Sequence, residues 1–224
     1  MTKTKSSSTK RRIRNPDATR ESILKAARTV LAEDGPDGLK VSRVAHLAGV
    51  NRGTAYQHFH TREDLAKATA ESVGQELSIA LFGNEEENVS VPPPEEQPVI
   101  QYIERLAKFA VENPGLGRVW LFETLAAKDP SEDLFFKQFK GTLTTLTDSH
   151  VGQKGVDNEA LAVILLAGYF LWPVWVQAHA KDSEEQARMA HQLSREVLRL
   201  SMYGVFKPEF YPRLVELLDT DEDQ

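Results

Sequence analysis

Apolar residues recur along this chain at intervals of three and four, the spacing of one face of an α-helix, and no strand-like alternation or hairpin signal competes. Ile23, Ala26, Ala27, Val30 and Leu31 form the first stripe. Asn15 opens it as a cap, Pro16 suits the first helical position, and Gly35 marks its end. After the turn Gly35-Pro36-Asp37-Gly38, the residues Val41, Val44, Ala45 and Ala48 predict a short second helix. Gly49 stops that helix cheaply because glycine tolerates positive φ. Asn51 can cap a third helix, in which Val50, Ala55 and Phe59 turn inward. Thr61 caps a fourth, with Glu63 and Asp64 in the first turn where the helix dipole favours acids, and Leu65, Val73 and Leu77 carry it to about Phe82. Lys40 stands where a Ser or Thr cap would be expected, so the first amides of the second helix need another partner.

Residues 83–98 break the pattern with acidic and proline-rich sequence, which predicts a loop. Helices are then expected near 98–112, 116–127, 131–149, 157–180, 183–205 and 208–218, so the fold class is all-α. The segment Leu161–Val176 is apolar nearly all round and needs burial on two sides. Pro173 should kink it or shift its register. The longest apolar run, Ala160–Val176, is interrupted by Gly168 and Pro173 and falls slightly short of a bilayer span, so no membrane association is expected.

Charge changes this picture more than composition does. The 224 residues carry a net charge of −6, which by itself argues against a nucleic-acid partner. Residues 1–70, however, hold 14 Lys and Arg against 7 Asp and Glu, while the remainder holds 13 against 26. A basic amino-terminal third on an acidic remainder is the asymmetry of a nucleic-acid-binding module joined to something else. Residues 1–14, with Lys3, Lys5, Lys10, Arg11, Arg12 and Arg14, read as a disordered basic arm. The absence of cysteine removes disulfides, thiolate zinc sites and cysteine nucleophiles together. With a polar, basic start that lacks the apolar core of a secretory signal, it fits a cytoplasmic protein.

The third helix carries the most suggestive chemistry. Arg52, Gly53, Thr54, Tyr56, Gln57 and His58 are left facing out, a surface of hydrogen-bonding groups with hardly any aliphatic area. Such a face suits a groove lined with phosphates and base edges. His58 and His60 point apart on a helix end and lack further ligands, so no metal site is expected. No phosphate loop, HExxH motif or nucleophile elbow occurs, no cofactor is implied, and nothing asks for an enzyme. The second half is rich in aromatics at helical spacing, most of which must be core. A cavity among these helices would be walled by Tyr102, Phe109, Trp120, Phe136, Phe139, Trp172 and Trp175, with Glu123 as a polar candidate.

The run Val41-x-x-Val44-Ala45-x-x-Ala48-Gly49-Val50-x-Arg52-Gly53-Thr54-x-Tyr56-x-x-Phe59-x-x-Arg62-Glu63-x-Leu65 resembles the DNA-binding domain of Tet-repressor (TetR) family regulators. The resemblance covers about residues 17–65. It implies a three-helix helix-turn-helix DNA-binding domain at 15–62, a connecting helix at 63–82, and a helical ligand-binding and dimerisation domain at 99–224. It also implies a homodimer, formed through the helices near 157–180 and 183–205, that binds double-stranded DNA at a palindromic operator. Ser42, Arg52, Gly53, Thr54, Tyr56, Gln57, His58 and Arg62 take the DNA-facing positions on this resemblance. The expected function is that of a cytoplasmic repressor released by a small hydrophobic or aromatic effector. The alternatives are a dimeric DNA-binding protein without effector and a helical enzyme with a fused DNA-binding domain.

Overall fold

A computed structural model describes residues 15–83 and 99–220. The basic arm expected at 1–14 and nearly all of the loop expected at 83–98 lie outside the described residues. The described chain forms α1 (Pro16–Gly38), α2 (Val41–Leu47), α3 (Arg52–His58), α4 (Arg62–Phe82), α5 (Val99–Glu112), α6 (Pro114–Ala126), α7 (Leu134–Thr147), α8 (Asn158–His179), α9 (Ser183–Gly204) and α10 (Pro212–Thr220). The fold is all-α, with a helix-turn-helix unit at the amino end and a helical body behind it.

The expected caps form as hydrogen bonds. Asn15 Oδ1 accepts from Asp17 N at 3.1 Å, and Asn51 Oδ1 from Thr54 N at 2.7 Å. Thr61 and Asp64 close a reciprocal capping box at the start of α4. Gly35, with φ 69°, breaks the helical geometry of α1 where its stripe ends. Three starts differ from the expected ones. α6 begins at Pro114 rather than 116, since proline serves well in a first turn. α7 begins at Leu134 rather than 131, because the Asp133 carboxylate caps Phe136 N at 2.8 Å. The residues before it, Pro130–Glu132, make a separate single turn. The last helix begins at Pro212 rather than 208, because the residue before a proline is disfavoured in helical geometry.

The body is organised around α6, which packs against α1, α4 and α8. Its side of the core is an aromatic cluster. Trp120 meets Phe135 edge-on at 5.9 Å and Phe170 at 5.1 Å, and Phe135 lies 6.2 Å from Phe139. Such pairs add to plain burial. Asp133 ties the cluster down, since its Oδ1 also accepts from Trp120 Nε1 at 3.1 Å. Gly117 lets α6 and α8 approach closely. A Cβ there would stand 2.7 Å from Phe170 Cδ1.

α8 forms close to the bounds expected, 157–180, and reaches beyond the apolar run Ala160–Val176 at both ends. It continues through Gly168 and Pro173 for 22 residues, with mean hydropathy 1.8 in its 18-residue window. By length and composition alone it reaches what a bilayer span requires, which corrects the expectation of a run too short. The reason is that Pro173 is buried and accommodated within the helix instead of ending it. Ala162, Leu166, Tyr169 and Phe170 face the core. Val163, Ile164, Leu171, Val174 and Trp175 remain exposed on the other side.

Gly117→Ala tests the tightness of the α6–α8 crossing. Phe170 is held by Trp120 and Phe135, so the added methyl has little room. The expected cost is about 1–3 kcal/mol, a fall of several degrees in Tm by circular dichroism. An unchanged Tm would contradict the close packing.

Candidate nucleic-acid interface

The two-helix unit is built from small inward residues and a fixed turn. Val41, Val44 and Ala45 of α2 and Ala55 of α3 are buried, and Phe59 closes the end. Gly49 takes φ 66° between the helices, a value that glycine adopts without strain. The Asn51 cap orients the amino end of α3 and leaves its face fixed relative to α2.

That face carries Arg52, Gly53, Tyr56 and Gln57, all exposed, with His58 half-buried beside them. Ser42 is exposed on α2. Arg52 stacks its guanidinium 5.4 Å from the Tyr56 ring centroid, which pre-orders both side chains. Next to them, Lys40, Ser42, Tyr56, His60 and Thr61 surround a surface hollow at the start of α2. The amides there lack a side-chain cap, as Lys40 led one to expect. Uncapped amides, Lys40 and the Tyr56 phenol favour an anion beside this hollow, and Asp37, which also borders it, opposes one.

Two of the sequence-derived residues stand differently. Thr54 does not face out. It is only 9% exposed because its position in the short α3 turns it towards the helix pair. Arg62 is exposed in part but engaged within the protein. Its Nη2 donates to Pro36 O at 2.5 Å and lies 3.8 Å from Asp37 Oδ1. It ties the start of α4 to the turn that follows α1. Arg43 is likewise paired, with Asp34 at 2.6 Å. Residues 15–70 hold 8 Lys and Arg against 7 Asp and Glu, so nearly all of the amino-terminal excess of charge belongs to residues 1–14. Bulk charge therefore gives residues 15–70 little pull on an anionic partner, and only the placement of individual groups could supply one. Among the described residues no cluster of His, Asp and Glu is arranged to hold a metal.

The body contains a narrow cavity of about 70 Å³ between α4, α5, α7, α8 and α9. Tyr102 and Phe139 line it, together with Phe82, Leu106, Leu165, Tyr169 and Val197. The remaining sequence-derived pocket residues lie elsewhere. Phe109 packs between α5 and α4 beside Leu77 and Leu81. Trp120 and Glu123 border a separate open cleft against α4, near Glu71 and Asp129. Partial burial raises the Glu123 carboxyl above its ordinary range. Phe136 is buried beneath Lys140. Trp172 belongs to a small side cluster with Val111 and Val176, its Nε1 donating to Met189 O at 3.0 Å. Trp175 is 55% exposed on the outer side of α8. Aromatic stripes alone could not tell these environments apart. The leucines and Tyr169 that do line the cavity read in sequence as ordinary core.

Sequence reasoning also missed Arg118. On α6, its Nη1 donates to Ala32 O of α1 at 2.7 Å and its Nη2 to Gln177 Oε1 of α8 at 3.0 Å. Nothing in the sequence marks this arginine, whose partners lie far away along the chain.

Comparison with known proteins places this architecture. Residues 23–69 match the model of bacterial regulatory proteins of the tetR family. No curated protein matches the chain. Among solved structures, full-length TylP, a TetR regulator from Streptomyces fradiae, aligns with TM-score 0.60 and 21% identity over 94% of this chain and 98% of its own. A γ-butyrolactone receptor described as ArpA-like aligns with TM-score 0.58 and 21% identity over 92% and 96%. The amino-terminal unit is thus a TetR-type helix-turn-helix, and the body shares the fold of these regulators.

Gly53 separates fold from contact. A Cβ at this position would meet only Asn51 Oδ1, at 3.4 Å, so nothing inside the protein demands a glycine. Gly53→Ala should leave the Tm unchanged or slightly raised, since alanine favours the helix. It should weaken DNA binding at least tenfold by holding the backbone away, a cost of about 1.4 kcal/mol or more. Unaltered affinity in a fluorescence-anisotropy titration would remove α3 from the interface.

Proposed function

We propose that this protein, a TetR-type transcriptional regulator, acts in the cytoplasm as a homodimeric repressor that binds a palindromic operator and is released by a small hydrophobic or aromatic effector. In this reading residues 15–62 are the DNA-binding module, 63–82 the connection, and 99–224 the effector-binding and dimerising body. The observation that carries it is the outward face of α3, polar and pre-ordered by the Arg52–Tyr56 stack beside a surface hollow that Lys40 borders. Arg52 and Gln57 would reach base edges, and Tyr56, Ser42 and the α2 amides would hold phosphates. His58 stands at the edge of this set. Thr54 would support the face from behind, and Arg62 would act by fixing the α1–α4 corner.

The exposed stripe of Val163, Ile164, Leu171, Val174 and Trp175 on α8, with Leu200 and Tyr203 on α9, supports a dimer through these two helices. Apolar patches of this kind on a folded surface mark association sites. Dimerisation would set two α3 helices one turn of DNA apart, about 34–36 Å. The cavity supports an effector site, as does the γ-butyrolactone receptor among the structural neighbours. Its small volume, against about 300–1,000 Å³ for ordinary ligand pockets, means that an occupant would have to part the helices. That displacement supplies the differential binding by which an effector favours the DNA-free state. The same small volume favours a second reading, in which the body serves dimerisation alone.

Ile164→Glu tests the assembly on which operator binding depends. Sedimentation should give a monomer with unchanged helicity, and affinity for the DNA flanking the protein's own gene should fall by a factor of ten or more, about 1.4 kcal/mol. A dimer with wild-type DNA affinity would contradict the proposal.

A further inference from the structure

Tyr169 lies on the inner face of α8, is only 2% exposed, and lines the central cavity. Among the described residues nothing hydrogen-bonds its hydroxyl. Burial pushes its ionisation well above the ordinary phenol range, so it is a neutral donor at any physiological pH. Among the described residues the fully enclosed side-chain atoms without a partner are Ser78 Oγ and Gln138 Oε1; the Tyr169 hydroxyl is not one of them, so it is an unpartnered polar group that still has open space beside it. One that faces an otherwise oily cavity marks the place where an occupant supplies the missing partner.

The rest of the lining narrows what that occupant is. Among the described residues no charged side chain borders the cavity. A charged molecule would lose its hydration there and gain no counter-charge. The two aliphatic hydroxyls of the lining are already spent on their own helices. Thr142 Oγ1 donates to Gln138 O at 3.1 Å, and Ser201 Oγ donates to Val197 O at 2.7 Å. Tyr102 is half-buried, with the Arg105 guanidinium 5.9 Å from its ring centroid. Tyr169 is therefore the deep donor without a partner. A phenol donates better than it accepts, because its oxygen lone pair is drawn into the ring.

We propose that Tyr169 is the specificity-determining donor of the cavity, and that the occupant is an uncharged molecule with an apolar body and one accepting oxygen, such as a ketone or ester carbonyl. This rests on the reading of the central cavity as the effector site.

The test uses full-length wild-type and Tyr169→Phe proteins with four probes, 2-hexanone, hexane, hexanoate and hexylammonium, in ligand-observed NMR titrations. In the wild type 2-hexanone binds tightest and the two ions weakest. Tyr169→Phe weakens 2-hexanone about tenfold, the usual effect of losing one neutral hydrogen bond, and leaves hexane unchanged. Equal binding of 2-hexanone to both proteins would overturn the role of Tyr169 while leaving the cavity as a site. Failure of both neutral probes to bind the wild type, or binding that persists when Leu165→Trp fills the cavity, would overturn the effector-site reading itself. Without any probe, Tyr169→Phe should melt at the same temperature or higher. A fall of several degrees would show that the hydroxyl already has an internal partner, and would also overturn the proposal.

Discussion

The structure depends on one helix that belongs to two places at once. α4 is 21 residues long, about 30 Å at the rise of an α-helix. At one end Arg62 holds the carbonyl of Pro36, and further along Glu76 pairs with Arg28 of α1. At the other end Leu81 and Phe82 form part of the wall of the central cavity. In the proposed mechanism a rod so anchored would carry a displacement at the cavity to the helix-turn-helix unit. Burial lowers the tendency of Arg28 to stay charged, and the nearby carboxylate of Glu21 opposes that effect.

A second connection runs in parallel. α6 lies between α1 and α8, and Arg118 hydrogen-bonds to both. α8 in turn carries Tyr169 on its cavity side and the exposed apolar stripe on its outer side. A shift of α8 is therefore felt at the cavity, at the proposed partner surface and, through α6, at α1. The aromatic cluster around Trp120 stiffens this arrangement, because a packed interior changes between discrete arrangements rather than bending smoothly.

Much of the fold was legible because its signals are local. Asn15, Asn51 and Thr61 announce helix starts through side-chain chemistry that acts within three residues, and the stripes in α1 and α4 need only periodicity. The outward face of α3 was legible for the same reason, since Arg52, Gly53, Tyr56 and Gln57 are exposed as expected. What sequence could not resolve depends on distant partners. Thr54 sits at the border of a two-turn helix, where one residue of rotation decides inside from outside. Arg62 is a phosphate candidate by position, yet the turn after α1 brings a carbonyl within its reach. Trp172 and Trp175 share the apolar helix with Tyr169, and only the packing of α5, α7 and α9 decides which of them meets a cavity. The basic excess lies almost wholly in residues 1–14 and so does not mark the α3 face.

The central claim is that two copies of the α3 face read DNA together. Selection of bound duplexes from a random-sequence pool by the full-length protein tests it most directly. The account predicts enrichment of an inverted repeat whose half-sites lie one helical turn apart, about 10–10.5 base pairs centre to centre, and loss of that enrichment with Arg52→Ala. Recovery of no common sequence, or of a motif that Arg52→Ala selects equally well, would contradict it.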